Sequence, residues 1–351
     1  MLTIRITPYR PGLATIFDRQ TPGHSLLSRD GRYKFLMGGD EIEEADFWVV
    51  QGKGTHSDQT CRVAPENTIL LTTEPKTVLV YPQAYLDQFG LVCSCQEETR
   101  HRNLRLGPPI LPWFVGYKDM PDDTLQAWLD YDTASRQPMP PCPKEKLISV
   151  ITSNKAMTQG HIDRIRLVKR LKQYYGDQLD VFGRGFRDFN DKWETLAPYK
   201  YHIVIENGQH NYYWTEKLSD CYLAGTFPFY IGCHNIDQFF PKEALIPFDM
   251  TDPFDKITHT IDSAIQADTF SHSLEALTEA RRRVLEEYNM FDYIAALCDT
   301  LSPDAPKQQV TLKACHSASD WHNLLQYTFG RTYYKMKFKL LEALSPIPVK
   351  V

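Results

Sequence analysis

The stretch YHIVIENGQHNYYWTEKLSDCYLAGTFPFYIG, residues 201–232, decides the fold class. It opens on YHIVI, apolar enough to be a strand covered on both faces, runs through a polar loop and enters a helix at Thr215, Glu216 and Lys217. The helix, EKLSDCYLA, stops at Gly225, a residue suited to the left-handed conformation that closes a helix. TFPFYIG follows as another strand. Alternation of this kind predicts an α/β layer on a mostly parallel sheet.

The same rhythm extends outward. Upstream, KLISVITSN reads as a strand, HIDRIRLVKRLKQYY as a helix with Ile162, Ile165, Leu167, Val168 and Leu171 on its apolar face, and LDVFGRG as a further strand. LTIRIT, ADFWVV, NTILLTT and LVCSC repeat the pattern in the first third of the chain. Between the two series lies TASRQPMPPCPKEK, proline-rich and poor in large apolar residues. The expected division is therefore an α/β domain over 1–132, a linker over 133–146, a second α/β domain over 147–301 and a helical tail over 302–351. From Pro253 to about Leu301 the chain reads helical, most clearly in SLEALTEARRRVLEEYN. Two such domains leave a cleft where strand ends meet, the preferred place for a ligand.

Composition narrows the classes. With 39 Lys and Arg against 44 Asp and Glu, the chain has no broad basic footprint, and no nucleic-acid partner is expected. MLTIRITPYR breaks its apolar run with Arg5 and reads as a first strand rather than a signal peptide, and no run of about 18 apolar residues occurs. Eight cysteines (Cys61, Cys93, Cys95, Cys142, Cys221, Cys233, Cys298, Cys315) without CxxC spacing point to buried structural thiols in a reducing cytoplasm. Asp130-Tyr131-Asp132 has the form of a manganese-binding DxD but sits at the linker edge, where a solvated pair is the better reading. The tail RTYYKMKFKLLEAL interleaves Arg331, Lys335, Lys337 and Lys339 with Tyr333, Tyr334, Met336 and Phe338. Peripheral contact with anionic lipid on the inner membrane face is one account of it, and packing across the two domains is the favoured one.

Polar groups concentrate where the strand of residues 201–205 ends. Glu206, Asn207, Gln209, His210 and Asn211 follow it, and Glu216 and Lys217 open the next helix, whose amino terminus offers N–H groups and partial positive charge to a diphosphate. ENGQHNYYWTEK, followed by AGTFPFYIG, resembles the donor-binding motif of the α-1,3/4-fucosyltransferases, glycosyltransferase family 10. The resemblance implies a GT-B fold, two Rossmann-like domains facing across a cleft, with the acceptor bound by the first domain and a GDP-sugar by the second. It implies that Asn207 and Tyr213 contact the donor's phosphate or sugar, that Glu216 binds a ribose or fucose hydroxyl, and that Lys217 pairs with the phosphates. SNKAMTQGHIDRIRLVKRL resembles the family's segment carrying a phosphate-binding arginine, with Arg164 at the matching position and Arg166 the alternative. DVFGRGF looks like the loop beside the nucleotide base, where Gly183 and Gly185 admit a close ligand and Arg184 reaches the donor; a turn without a ligand is the alternative. Gly208 departs from the small polar residue often found in this motif.

The implied reaction moves L-fucose from GDP-fucose, with inversion, to a hydroxyl of a galactose- or N-acetylglucosamine-containing glycan. One carboxylate suffices as general base, because GDP leaves as a phosphate anion that Arg and Lys neutralise. NTILLTTEPKTVLVYP places Glu74 at an early strand end as that base, with Glu66, Glu97 and Glu98 as alternatives. No cofactor and no essential metal are expected. The competing functions are transfer from another nucleotide sugar and silent binding of a glycan or nucleotide sugar.

Overall fold

The computed structural model describes residues 1–8, 17–39, 41–54, 57–119, 125–156, 158–315 and 321–344. Its first sheet is wholly parallel. The strands are β1 (Leu2–Thr7), β2 (Tyr33–Met37), β3 (Phe47–Gln51), β5 (Thr68–Leu71), β6 (Leu91–Ser94) and β7 (Leu104–Leu106), arranged β2-β1-β3-β5-β6-β7. Every residue of β3 is buried because the sheet is covered on both faces. Phe47 and Val49 join one apolar cluster with Ile4, Ile6, Ile69 and Leu71, while Trp48 and Val50 join another with Leu70, Val92 and the aromatics around the short helix α1 (Gln83–Leu86).

A small antiparallel pair, β8 (Tyr117–Asp119) and β9 (Leu125–Ala127), leads to helix α2 (Tyr131–Arg136). The expected linker 133–146 is therefore helical in its first four residues. Asp130 caps α2 by accepting from Thr133 N at 2.7 Å and contacts His24 at 3.1 Å, and Asp132 accepts from Gly23 N at 2.7 Å. These two carboxylates are partly exposed and bond to the chain's own groups.

The second sheet is also parallel, ordered β11-β10-β12-β13-β14. It comprises β10 (Lys146–Ile151), β11 (Leu179–Phe182), β12 (Tyr199–Ile205), β13 (Phe227–Ile231) and β14 (Ile246–Pro247), with α3 (Gln159–Tyr175), α4 (Lys192–Leu196) and α5 (Glu216–Leu223) in the connections. Thr158 caps α3, whose Ile162, Ile165, Leu167, Val168 and Leu171 are all buried. Thr215 caps α5, and Gly225 ends it at φ 63°; a Cβ there would lie 2.5 Å from Pro141 Cδ, so both backbone and packing require glycine.

The helical stretch resolves into α6 (Phe254–Gln266), α7 (Thr269–His272), α8 (Leu274–Glu286) and α9 (Met290–Cys298). Here the cores divide differently from the expected boundary at residue 301. Helix α9 packs on the first sheet, with Phe291 4.8 Å from Phe35 ring to ring and Asp292 paired with Arg29 at 3.0 Å. The tail is not purely helical either. Its strand β15 (Gln308–Leu312) pairs antiparallel with β4 (Gln59–Val63), and only then does helix α10 (Trp321–Leu344) follow, with residues 345–351 outside the described ones. Two parallel α/β domains meeting along their strand ends form the GT-B arrangement. Among the described residues no helix is long and apolar enough to cross a membrane, and the eight cysteines are unpaired, seven of them buried.

Candidate active site

Two adjoining cavities, of about 730 and 430 Å³, lie where the carboxyl ends of β5, β10, β11 and β12 converge. Their size suits a nucleotide sugar and part of an acceptor. Asn207, Glu216, Lys217, Lys192 and Phe189 line both. Arg164, Gly183 and Arg184 line the larger; Glu74 and Tyr213 line the smaller. The structure thus brings together residues 74, 164, 183, 184, 207, 213, 216 and 217 from positions up to 143 apart in the chain.

Arg164 projects from the second turn of α3 and is 7% exposed. Its Nη2 donates to Ser153 Oγ at 3.3 Å, its Nε finds no partner, and no carboxylate among the described residues pairs with it. Burial lowers its pKa. A buried guanidinium without a counter-charge is costly unless an anion pairs with it. Beside it, burial first, then Arg164 and Lys155, press the pKa of His161 down to about 4, so that imidazole is neutral near pH 7.

Lys217 is held differently. Its ammonium donates to Glu206 Oε2 at 3.1 Å and to Thr215 Oγ1 at 3.0 Å, two of its three N–H donors, and stands 3.6 Å from Glu216. Burial opposes its charge, but Glu206 and Glu216 outweigh burial and raise its pKa. The Glu206 carboxylate also accepts from Thr215 N at 2.8 Å and Thr215 Oγ1 at 2.7 Å. The amino end of α5, expected to present free N–H groups to a diphosphate, is thus partly occupied by the protein's own buried acid. For Glu216, burial favours the neutral form, yet Lys217 and Lys192 prevail and its pKa falls.

Glu74 follows β5 in the first domain and faces Tyr213 of the second, whose hydroxyl lies 3.5 Å from Glu74 Oε2. Burial raises its pKa; Lys217 and a hydrogen bond from Asn207 pull the other way, while Glu216 and Glu206 add to the rise. The other carboxylates weighed for this place are engaged elsewhere or remote. Glu97 takes Asn211 Nδ2 at 3.1 Å, Glu98 sits exposed 3.6 Å from Lys76, and Glu66 lies on an exposed turn. Gly183 borders the cavity, but its glycine is explained without a ligand: φ is 108°, and a Cβ would stand 2.0 Å from Thr152 O. Arg184 is exposed at the rim.

Reading the sequence missed Lys192, which sits on both cavities 2.6 Å from Asp220 and 4.0 Å from Glu216. In FNDKWETL it looks like the solvated first turn of a helix, and no local pattern distinguishes it. It also missed Tyr334 of α10, which lines the larger cavity. Among the described residues no group of three His, Cys, Asp or Glu side chains is placed to hold a metal ion.

Residues 141–310 match the profile described as glycosyltransferase family 10 (fucosyltransferase), C-term. Over these residues the chain is similar to glycosyltransferase family 10. The matched residues include Arg164, Asn207, Tyr213, Glu216 and Lys217, whereas Glu74 and Tyr334 lie outside them. Alpha-(1,3)-fucosyltransferase 4 of Bos taurus is 36% identical over 153 residues, covering 40% of this chain and 37% of the relative. The 4-galactosyl-N-acetylglucosaminide 3-alpha-L-fucosyltransferase 9 of Mus musculus is 30% identical over 108 residues, 29% of each chain. The chain thus spans less than two fifths of the length of these relatives. A solved alpha1,3-fucosyltransferase aligns at a TM-score of 0.48 and 16% identity, covering 78% of this chain and 80% of that one.

Proposed function

We propose that this protein is an inverting glycosyltransferase that moves L-fucose from GDP-fucose to a hydroxyl of an acceptor glycan. The observation that carries the reading is the pairing of a buried, uncompensated Arg164 in the second domain with a half-buried Glu74 from the first, on cavities that join at Asn207, Glu216 and Lys217. The diphosphate would sit between Arg164 and the remaining donor of Lys217, with Lys192 adding positive charge. The sugar would then project toward the smaller cavity, and Glu216 would accept from one of its hydroxyls or from the ribose.

Glu74 would take the proton from the acceptor hydroxyl as that oxygen bonds to the anomeric carbon. The bond from that carbon to the β-phosphate oxygen breaks, and its electron pair leaves with GDP. A carboxylate whose pKa is raised by burial is a stronger base than an exposed one. Asn207 and Tyr213, both directed at Glu74, would orient it rather than hold the phosphate.

The relatives' names supply the choice of fucose, and two of them act in forming α-1,3 linkages by name. The test is purified protein with GDP-fucose, chelator present, and an array of galactose- and N-acetylglucosamine-containing acceptors. Fucosylated product with GDP release is expected. Transfer from a different nucleotide sugar, or GDP-fucose binding with neither transfer nor slow hydrolysis, would replace this reading.

A further inference from the structure

Helix α10 lies outside the residues matched to the family domain, yet it touches the larger cavity. One face of it is docked on the helix that carries Arg164. Tyr334, Phe338 and Leu341 pack against Ala156, Ile162 and Ile165, residues before and within α3. Lys337 Nζ donates to Gln159 Oε1 at 2.7 Å, and Lys169 of α3 approaches the ring of Phe338 at 6.0 Å. The opposite face carries Tyr333, Met336 and Leu340, which are 59 to 67% exposed. This docking leaves Tyr334 half-buried, with part of its side chain on the cavity wall near Thr158, His161 and Arg164.

Resting on the GDP-sugar reading of that cavity, we infer that Tyr334 is a donor-binding residue and that α10 completes the nucleotide site. A phenol fixed at the mouth of an anion-holding cavity offers a flat apolar face to a nucleobase or ribose and a hydroxyl to a phosphate or sugar oxygen. The neighbouring cations supply charge but no such surface. Because two other side chains and a polar contact of α10 anchor the helix, the ring is positioned before the ligand arrives, and little freedom is lost on binding.

Calorimetry of the full-length protein with GDP tests this. Tyr334→Ala should weaken GDP binding about tenfold, within the range that an aromatic contact to a base supplies. Tyr334→Phe should retain most of the affinity, and Tyr333→Ala, on the outward face, all of it. Tyr334→Ala binding GDP as tightly as the unaltered protein, or Tyr333→Ala weakening it equally, would overturn the inference. Amide hydrogen exchange on the unaltered protein provides a check that needs no variant: GDP should slow exchange across residues 330–341, and unchanged exchange there would count against it. Failure of the unaltered protein to bind GDP would instead remove the underlying reading of the cavity.

Discussion

The two sides of the cleft are built on different electrostatic plans. The second domain brings Lys192 and Lys217, paired with Asp220, Glu206 and Glu216, and Arg164, which has no carboxylate partner among the described residues. The first domain brings Glu74 from the end of β5, with Leu111, Phe114 and Tyr117 around the smaller cavity. In the proposed function, one side would receive negative charge and the other a proton. Anion affinity and turnover should therefore separate by mutation, and the separation can be attacked from either side.

The largest effect is expected at Glu74. Glu74→Gln should lower kcat by about 10³-fold while leaving the Kd for GDP within about twofold, because an amide keeps the shape and loses the base. Near-full turnover would remove Glu74 from its role. Next comes Arg164→Ala, which should cost about 2 kcal/mol of GDP affinity, roughly thirtyfold in Kd by calorimetry. Lys217→Ala should cost less in affinity, about tenfold, since two of its donors already serve the protein; it should also lower the melting temperature, because Glu206 is left buried without its cation.

The pH dependence sharpens the same contrast. With its pKa raised above 4.5, Glu74 picks up a proton earlier on acidification than an exposed glutamate, so kcat/KM should fall through a midpoint above the ordinary carboxylate value. The smallest effect is expected at Asp130→Ala, which removes the cap of α2 for about 1 kcal/mol and a few degrees in melting temperature, with turnover and its response to manganese unchanged.

How much the sequence revealed follows the same division. In the second domain the strand, loop and helix that shape the site are contiguous between residues 199 and 231, so the apolar run of β12, the Thr215 cap and Gly225 could be read locally. Arg164 was singled out by the resemblance of SNKAMTQGHIDRIRLVKRL to the family's segment, with Arg166 the alternative. What no local pattern carries is that its charge is buried and unmatched. Lys192 and Tyr334 reach the cavities from segments whose local composition suggests an ordinary solvated helix and a tail. The return of α9 and β15 to the first domain was hidden for the same reason, since their partners Phe35 and Cys61 lie more than 240 residues away in the chain. Gly183 shows the converse: its glycine was visible, but the cause is close approach to Thr152 rather than to a ligand.

A crystal structure of the protein with GDP-fucose bound tests the central claim most directly. The expected result is a diphosphate held by Arg164 and Lys217 in the larger cavity, with the anomeric carbon of the sugar turned toward Glu74. A diphosphate bound elsewhere, with Arg164 still buried and unmatched, would contradict it.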